Sequence, residues 1–393
     1  MMAAGAVLLS GCESDNGREA ADGHRIPLEV MTVSQSFLDI EPWSTREGGT
    51  AVAGTTRGTW QEELPAGYMP YNVLFPTTTP EHTTIGVFLT PERTDAVGNF
   101  VYIGTDSHGT PTNDWLSTIS IKEGQTYYLY GFMPRQGAET ATITSPNGSG
   151  GDDFKNGAVM QVNNFNTLTA ADVSVIVGVR AAASNEDISA PARPVELGKF
   201  EYQAQEEDHN YVFILLKHIY AGLHLKASID AEYHKLRTIK ITRMELEAID
   251  IPTVCDLTVS IAANTTNSDP VTSIVFDTEG KPTGSPRLQL FPHISIPETE
   301  LELQETVPES FLSCFAPSKC QEFNIHTTYD VYDRYGNLIR KGCTAVNHIS
   351  KEKIQGLDHI GAGEIFTVNL VVKPTYLYVL SEPDLDNPSF EIN

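Results

Sequence analysis

The residue with the clearest chemistry in this chain is Cys12, because it ends the sequence Leu9-Ser10-Gly11-Cys12. An apolar stretch, residues 3–9, leads into two small residues and a cysteine, which is the order found in bacterial lipoprotein signals. The pattern predicts that the thiol of Cys12 takes a lipid and that the bond between Gly11 and Cys12 is cut. Residues 1–11 contain no Lys or Arg, although such signals usually begin with a cationic segment. The alternatives are an ordinary secretory signal or a buried N-terminal strand with a chance cysteine.

Four further cysteines lie in the C-terminal part of the chain, and an even number in an exported protein permits two disulfides with three connectivities. A turn containing Pro317 favours a bond between Cys314 and Cys320, which leaves Cys255 for Cys343. The four residues lack CxxC spacing and have no paired histidines nearby, so we do not expect a zinc site.

The other reactive side chains form no catalytic pattern that we recognise. His218, His224 and His234 are close in sequence, but on strands their spacing places them far apart, and there is no HExxH motif. Residues 105–109 bring Thr, Asp, Ser, His and Gly into one loop, yet no GxSxG motif accompanies them. Residues 384–387 resemble part of a calcium loop but lack its glycine and its final glutamate. The sequence therefore predicts no enzyme, no cofactor and no metal.

The charge of the chain limits its partners. It carries 26 basic and 51 acidic residues, a formal charge of −25, which repels nucleic acid at long range. No stretch approaches the ~18 uninterrupted apolar residues that a membrane helix requires. We therefore expect no nucleic-acid partner, and attachment to the outer membrane through lipid at Cys12.

The N-terminal part is predicted to hold one strand between two loose segments. Residues 12–26 are polar and small, which is typical of a flexible tether. Ile26–Leu38 alternates well enough to be a strand. Ser44–Thr59 is rich in Gly and Thr and lacks hydrophobic periodicity, which predicts an exposed segment around Arg46 and Arg57.

The rest of the first half is predicted to be β-structure. Trp115–Pro134 has the pattern of a hairpin with its turn at residues 122–125. Val173–Val179 is a continuous β-branched run, as expected of a strand that is covered on both faces. Residues 180–210 have little periodicity, so we place a domain boundary there and assign residues 27–205 to an N-terminal domain.

The second half, residues 206–393, has the same character. Its apolar phase slips between Ile241 and Met244, which indicates a β-bulge. No long helical periodicity is present, and short strands alternate with Gly, Pro and Asn turns. The sequence therefore predicts an all-β fold of two tandem β-sandwich domains. The main predicted strands and hairpins of this half are Tyr211–Leu216, Leu223–Ile229, Ile239–Leu246, His326–Gly342, Phe366–Val372 and Tyr376–Leu380, followed by a tail at 381–393.

With these features, the chain resembles the fimbrillin-family lipoproteins of Bacteroidales. FNTLTAADVSVIVG at 165–178 is similar to the end of the family's first domain. Residues 213–223, an apolar strand followed by His and small residues, resemble the opening of its second domain, and LRTIKITRMEL at 236–246 continues that pattern. Residues 373–393 are similar to a family C-terminus. The resemblance covers most of residues 30–393.

The resemblance implies two transthyretin-like sandwiches and a lipid-anchored precursor of a surface fimbria. An Arg-specific surface protease would then cut after Arg46 or Arg57, within residues 45–58, and release the first strand. The groove left behind would accept a strand from another fimbrial subunit, giving a head-to-tail polymer. The candidate donor is the C-terminal tail, where Phe390 and Ile392 alternate with a polar residue. The first 121 residues contain five Arg and no Lys, which suits an Arg-specific cut.

A surface glycan-binding lipoprotein is the alternative function. Such a protein would also be lipidated, acidic and built from tandem β-domains, and it would bind sugar through exposed aromatic side chains. The candidates are Trp43, Trp60, Trp115 and Tyr335, although aromatic residues on strands more often belong to a core.

Overall fold

The fold of the described residues is all-β, as the sequence predicts. They form 27 strands, one α-helix, α1 (Ala231–His234), and one 3-10 turn (Asp153–Asn156). The computed structural model of the chain describes residues 25–30, 44–47, 50–52, 68–70, 84–90, 98–105, 111–147, 153–168, 173–182, 196–204, 210–265, 268–292, 299–306, 309–316, 322–350, 361–376 and 383–392.

Most strands are short, and the two halves of the chain differ in strand length. The first fourteen are β1 (Arg25–Val30), β2 (Ser44–Glu47), β3 (Thr50–Val52), β4 (Tyr68–Pro70), β5 (Thr84–Thr90), β6 (Gly98–Thr105), β7 (Pro111–Ser117), β8 (Ser120–Lys122), β9 (Thr126–Met133), β10 (Thr142–Thr144), β11 (Gly157–Asn166), β12 (Ser174–Ala182), β13 (Glu201–Gln203) and β14 (Asn210–His218). The remaining thirteen are β15 (Ala221–Ile229), β16 (Arg237–Ala248), β17 (Ile251–Pro252), β18 (Val254–Ala262), β19 (Val271–Asp277), β20 (Thr283–Gly284), β21 (Arg287–Phe291), β22 (Leu301–Glu302), β23 (Glu309–Phe315), β24 (Glu322–Asp333), β25 (Leu338–Ser350), β26 (Glu364–Tyr376) and β27 (Pro383–Ile392).

The strands are grouped around two clusters of buried apolar residues. The first cluster is contributed largely by a ten-stranded sheet, in the order β7-β6-β5-β9-β12-β14-β1-β8 with β13 on β9 and β4 on β14, and by a four-stranded sheet, β10-β11-β18-β19. The second is contributed largely by a six-stranded sheet, β23-β15-β26-β2-β3 with β27 on β26, and by a five-stranded sheet, β21-β16-β24-β25 with β22 on β16. Strands β17 and β20 form a separate pair.

Several of the predicted strands are confirmed. All of the apolar run at 173–179 except Val173 lies in β12, which is buried between β9 and β14 in the middle of the largest sheet. The predicted bulge is present in β16, where the register against β24 shifts between Ile241 and Arg243. The predicted hairpin with its tip at residues 334–337 is formed by β24 and β25.

Two local predictions are wrong. Residues 115–134 do contain a turn at Lys122–Gln125, but the strands on either side do not form a hairpin, because β8 pairs with β1 and β9 pairs with β5. The predicted loose segment at 44–59 contains two strands, β2 and β3, because its Thr residues suit a strand and β26 offers an edge for pairing.

The predicted boundary between residues 205 and 206 stays a prediction. The first buried cluster includes seven apolar residues between Val212 and Tyr220 and four residues of β18, all of which lie beyond that boundary. Strand β18 pairs along most of its length with β11, so the chain returns to the first cluster after it has begun the second.

Candidate functional site

The first strand, β1, occupies a slot inside the largest sheet. On one side it pairs in parallel with β14, matching Leu28 with Asn210 and Val30 with Val212. On the other side it pairs antiparallel with β8. Residues 25–27 of this six-residue strand pair with β8 and residues 28–30 pair with β14, so each half of β1 has its own partner strand.

Two side chains of β1 fix its position. Leu28 is completely buried, and its amide donates to the carbonyl of Ile119 at 3.0 Å. The carboxylate of Glu29 accepts a hydrogen bond from the hydroxyl of Tyr211. Burial, together with this carboxylate, raises the pKa of Tyr211 above its ordinary value, so the phenol remains a hydrogen-bond donor.

A buried polar contact lies beside the slot on β14. The hydroxyl of Tyr202 donates to the backbone carbonyl of Tyr211 at 3.1 Å and lies 3.3 Å from Oδ1 of Asn210. Tyr202 and Asn210 are both fully buried, and burial raises the pKa of Tyr202. This contact holds the start of β14, at the two residues that lie opposite Leu28 and Glu29 of β1. No sequence pattern pointed to Asn210, which precedes an apolar run, or to Tyr202.

The C-terminal tail forms β27, which lies antiparallel on β26 within the second group of sheets. Its register matches Ile392 with Leu370 and Phe390 with Val372. The ring of Phe390 is buried, with its centroid 5.2 Å from that of Tyr329, and the amide of Asn347 donates to the carbonyl of Phe390. Phe390 is therefore the anchor of the tail in its own chain.

The first half of the tail has a weaker backbone ladder than the second. Pro388 lies opposite Pro374, and neither residue has an amide hydrogen to donate. The register then shifts before Asp384 meets Thr375. Pairing between β27 and β26 therefore depends mainly on residues 389–392, around the Phe390 anchor.

The predicted cleavage sites have different surroundings. Arg46 lies on β2, where its backbone is opposite Phe366 of β26 on one side and Ala51 of β3 on the other. A protease binds an extended segment that has left its sheet, so this pairing disfavours a cut at Arg46. Arg57 lies outside the described residues, as do Gly11 and Cys12.

The cysteines do not form the predicted second disulfide. Cys255 and Cys343 are both free thiols, because Cys255 is buried in the first cluster and Cys343 packs against the second. Burial raises the pKa of Cys255 to about 12. Cys314 is half-buried beside the first cluster, and its predicted partner Cys320 lies outside the described residues, so that pairing stays a prediction.

The predicted sugar-binding candidates are only partly visible in the structure. Tyr335 is 73 % exposed at the tip of the β24–β25 hairpin, and the guanidinium of Arg334 lies 4.6 Å from its ring centroid. The carboxylate of Asp333 accepts the backbone amides of Tyr335 and Asn337 at 2.8 and 2.9 Å, which fixes the turn. Hydrogen bonds from Asn337 hold the pKa of Asp333 below its ordinary value. Trp43 and Trp60 lie outside the described residues, and Trp115 lies on β7.

Other kinds of site find little support. Within the described part of the chain, no group of three or more His, Cys, Asp and Glu side chains is placed to hold a metal ion. Over the same residues, no helix has both the length and the apolar character needed to cross a membrane. Of the loop at 105–109, only Thr105 lies within the described residues. Residues 384–387 belong to β27.

Comparison with known proteins gives only distant structural likenesses. No protein family matches the sequence, and no curated protein sequence does. One similar solved structure is a candidate cell adhesion protein from Bacteroides fragilis, with 10% sequence identity and a TM-score of 0.40 over 94% of this chain and 97% of that one. A second is a candidate cell adhesion protein from Bacteroides uniformis, with 9% identity and a TM-score of 0.35 over 81% of this chain and 93% of that one. A third is the fimbrial anchor protein Mfa2 from Porphyromonas gingivalis, with 9% identity and a TM-score of 0.21 over 80% of this chain and 88% of that one. At identities and TM-scores this low, the likeness carries no conclusion about fold or function.

Proposed function

We propose that this chain is a structural subunit or accessory component of cell-surface fimbriae, anchored in the outer membrane by lipid on Cys12 and contributing to adhesion. In this proposal, an Arg-specific surface protease removes the N-terminal segment, and a strand of another subunit replaces β1. The observation that supports it most is the position of β1, a short strand that lies between β14 and β8 in a large sheet and pairs with each of them through three residues.

The covalent connection of β1 contributes to its hold on the slot. Fixing the backbone of its six residues costs about 6–12 kcal/mol in conformational entropy. Burying Leu28 contributes about 2–3 kcal/mol, and each hydrogen bond contributes a net ~1 kcal/mol. The covalent connection keeps the local concentration of β1 high, and a cut would remove that advantage.

Loss of β1 would leave a slot that favours refilling. Backbone groups of β8 and of the start of β14 would lose their partners, and the space of Leu28 would be empty. Unpaired buried backbone groups and an empty apolar site are both costly in water, so the slot would bind an extended strand with an apolar side chain.

A cut at Arg57 would also open a second site. The released piece would contain β2 and β3, and β2 pairs with β26 at Glu364–Phe366. That stretch of β26 is adjacent to residues 370–376, on which the tail lies. The same cut would therefore remove β2 from β26, the strand that holds the tail. The first half of the tail is already weakly paired with β26.

The test is to treat the folded chain with an Arg-specific protease and to follow its size by analytical ultracentrifugation. We expect the cut chain to form oligomers. Arg57→Gln should remain uncut and should sediment like the uncut parent chain, whereas Arg46→Gln should behave as the unsubstituted chain. Deletion of residues 388–393 should leave cleavage unchanged and prevent growth. A cut chain that stays monomeric with its first strand bound would contradict the polymerising role.

The lipid anchor has its own test. Cys12→Ala should abolish incorporation of radiolabelled palmitate and release the chain from the outer membrane. Cys343→Ala is the matched control and should be labelled as fully as the unsubstituted chain. Equal labelling of Cys12→Ala would contradict the anchor.

The second candidate function is recognition of a surface glycan, and the exposed ring of Tyr335 favours it. Sugars stack on exposed aromatic faces, and the fixed turn holds this ring in one place. The test is binding to a glycan array, comparing the chain with Tyr335→Ala and with Tyr335→Phe, which keeps the aromatic face. A binding signal lost in the first variant and kept in the second would favour this function. Absence of a binding signal for the unsubstituted chain would contradict the glycan-binding function.

A further inference from the structure

Strand β25 is a cationic edge in an acidic protein. The sequence from Arg334 to Lys351 has four Lys or Arg residues and no Asp or Glu, although acidic residues outnumber basic ones in the whole chain by 51 to 26. Two of the four, Arg340 and Lys341, lie on β25. Charge of this sign at a strand edge prevents pairing with an identical edge.

The exposed part of this edge lies near the hairpin tip. Among the described strands, β25 pairs with β24 alone. The five residues from Leu338 to Gly342 are all exposed, including the apolar side chains of Leu338 at 48 % and Ile339 at 37 %. A strand with open backbone groups and exposed apolar side chains is a surface on which another strand can pair.

The opposite edge of the same sheet is acidic. Strand β22 lies on β16, and the segment around it carries Glu300, Glu302 and Glu305. Glu300 forms an ion pair with Lys240 at 3.5 Å, and the carboxylate of Glu305 lies 2.9 Å from Nδ1 of His234. Glu302 is exposed.

The backbone of Glu302 faces away from the sheet. Leu303 donates its amide to the carbonyl of Ile239 at 3.0 Å, so the N–H and C=O of the preceding residue point to the open edge. Within the described residues, no strand pairs with β22 at Glu302 on this side, and the carbonyl of Gln304, the next residue that faces the same way, accepts the amide of Ile229 at 3.2 Å.

The two edges are level with each other across the sheet. Glu302 lies opposite Lys240 of β16, which lies opposite Asp330 of β24. The next residue of β24, Val331, lies opposite Arg340 of β25. If a second copy is placed beside the first in the plane of this sheet, Glu302 of the second copy therefore lies close to Arg340 and Lys341 of the first.

We propose that β25 of one copy pairs antiparallel with the β22 segment of a second copy, so that the two five-stranded sheets become continuous. The chain direction fits, because β25 runs parallel to β16 and β22 runs antiparallel to it. The residues that meet are Leu338–Lys341 in one copy and residues 300–303 in the other. The contact is heterologous and can repeat along a row of copies. It needs neither cleavage nor the tail, so it is independent of the proposed donor-strand exchange.

The experiment uses the uncut full-length chain with Cys12→Ala, so that lipid does not mediate association. Sedimentation velocity over a concentration series should show reversible self-association that weakens as salt is raised. Lys341→Glu and Glu302→Lys should each weaken it about tenfold, since each places like charges at the contact. An equimolar mixture of the two variants should recover it, because the carboxylate introduced in the first variant then meets the ammonium group introduced in the second.

Lys155→Glu and Glu279→Lys are matched controls, since both residues are exposed and lie away from these edges. They should associate like the parent chain. Circular dichroism checks that each variant is folded, and Lys341→Ala replaces Lys341→Glu if the latter is not. A parent chain that stays monomeric at its highest soluble concentration would overturn the proposal. A mixture that associates no better than either variant alone would also overturn it.

Discussion

The two terminal strands of the described chain are held in different ways. Strand β1 pairs with two strands, through a different half of its length for each, and has one fully buried leucine, whereas β27 pairs with one strand of the described chain, β26, and is anchored by Phe390. The ladder of β27 is also interrupted by two opposed prolines. The tail can therefore begin to leave its sheet from its weakly paired first half, while release of β1 requires that its pairings with both β8 and β14 be broken. This difference suits β1 to be a strand released by a cut, and β27 to be a strand that moves without one.

The largest effect on stability should come from a charge placed at the buried leucine of β1. Leu28→Asp would bury a carboxylate in an apolar site, and we expect the free energy of unfolding to fall by more than ~4 kcal/mol. Hydrogen exchange at residues 210–212 should accelerate, because β1 leaves β14. Leu28→Met, which keeps the volume, should cost less than ~1.5 kcal/mol. Unchanged exchange in Leu28→Asp would show that β1 does not protect β14.

Truncation of the tail anchor should have a smaller and more local effect. Phe390→Ala should cost about 3 kcal/mol, at the low end for a buried phenylalanine, since an edge strand can detach. Exchange should accelerate at residues 370–372 and 389–392 while residues 210–212 keep their protection. Phe390→Leu is the control and should retain most of the protection. Loss of protection in both regions would show that the two terminal strands are coupled and do not leave their sheets independently.

The two core clusters can be compared through their cysteines. Because burial raises the pKa of Cys255 to about 12, its thiol remains protonated at neutral pH. We expect alkylation of Cys255 in the folded chain to be at least tenfold slower than that of the half-buried Cys343, with both reacting equally in urea. Peptide mass spectrometry measures both rates. If neither thiol reacts until the chain is reduced, the disulfide between them exists after all.

The smallest effect concerns the sheet beneath the tail. Hydrogen bonds from Asn324 and His326 hold the pKa of Glu247 below its ordinary value. A lowered folded-state pKa gives stability that is present above the unfolded-state pKa and is lost as the pH falls through the folded-state value. Glu247→Gln should therefore lower the free energy of unfolding by less than ~1 kcal/mol at neutral pH and by nothing in strong acid. Urea titrations across pH measure this, with Glu279→Gln as the control. An equal loss at every pH would exclude the ionised carboxylate as the cause.

The sequence predicted strands well and their partners less well. The apolar run of β12 and the phase slip of β16 are local patterns, so they could be recognised without knowing the fold. Two other features depend on segments that are distant in sequence. Strand β8 pairs with β1 and not with β9, and β18 returns to the first cluster. For the same reason Cys255 and Cys343 were paired wrongly, since separation along the chain does not show which core each thiol enters. Of the site, β1 and the tail were predicted, while Asn210, Tyr211 and Phe390's contact with Tyr329 required the structure.

The central claim is that the slot of β1 accepts the tail of another copy after cleavage. Hydrogen exchange at residues 210–212 tests it most directly, in the cut chain with and without residues 388–393. We predict that these amides, exposed once β1 is released, regain protection when the full-length cut chain oligomerises and stay exposed in the truncated chain. Equal protection in the two cut chains would contradict the claim, because the slot would then be filled without the tail.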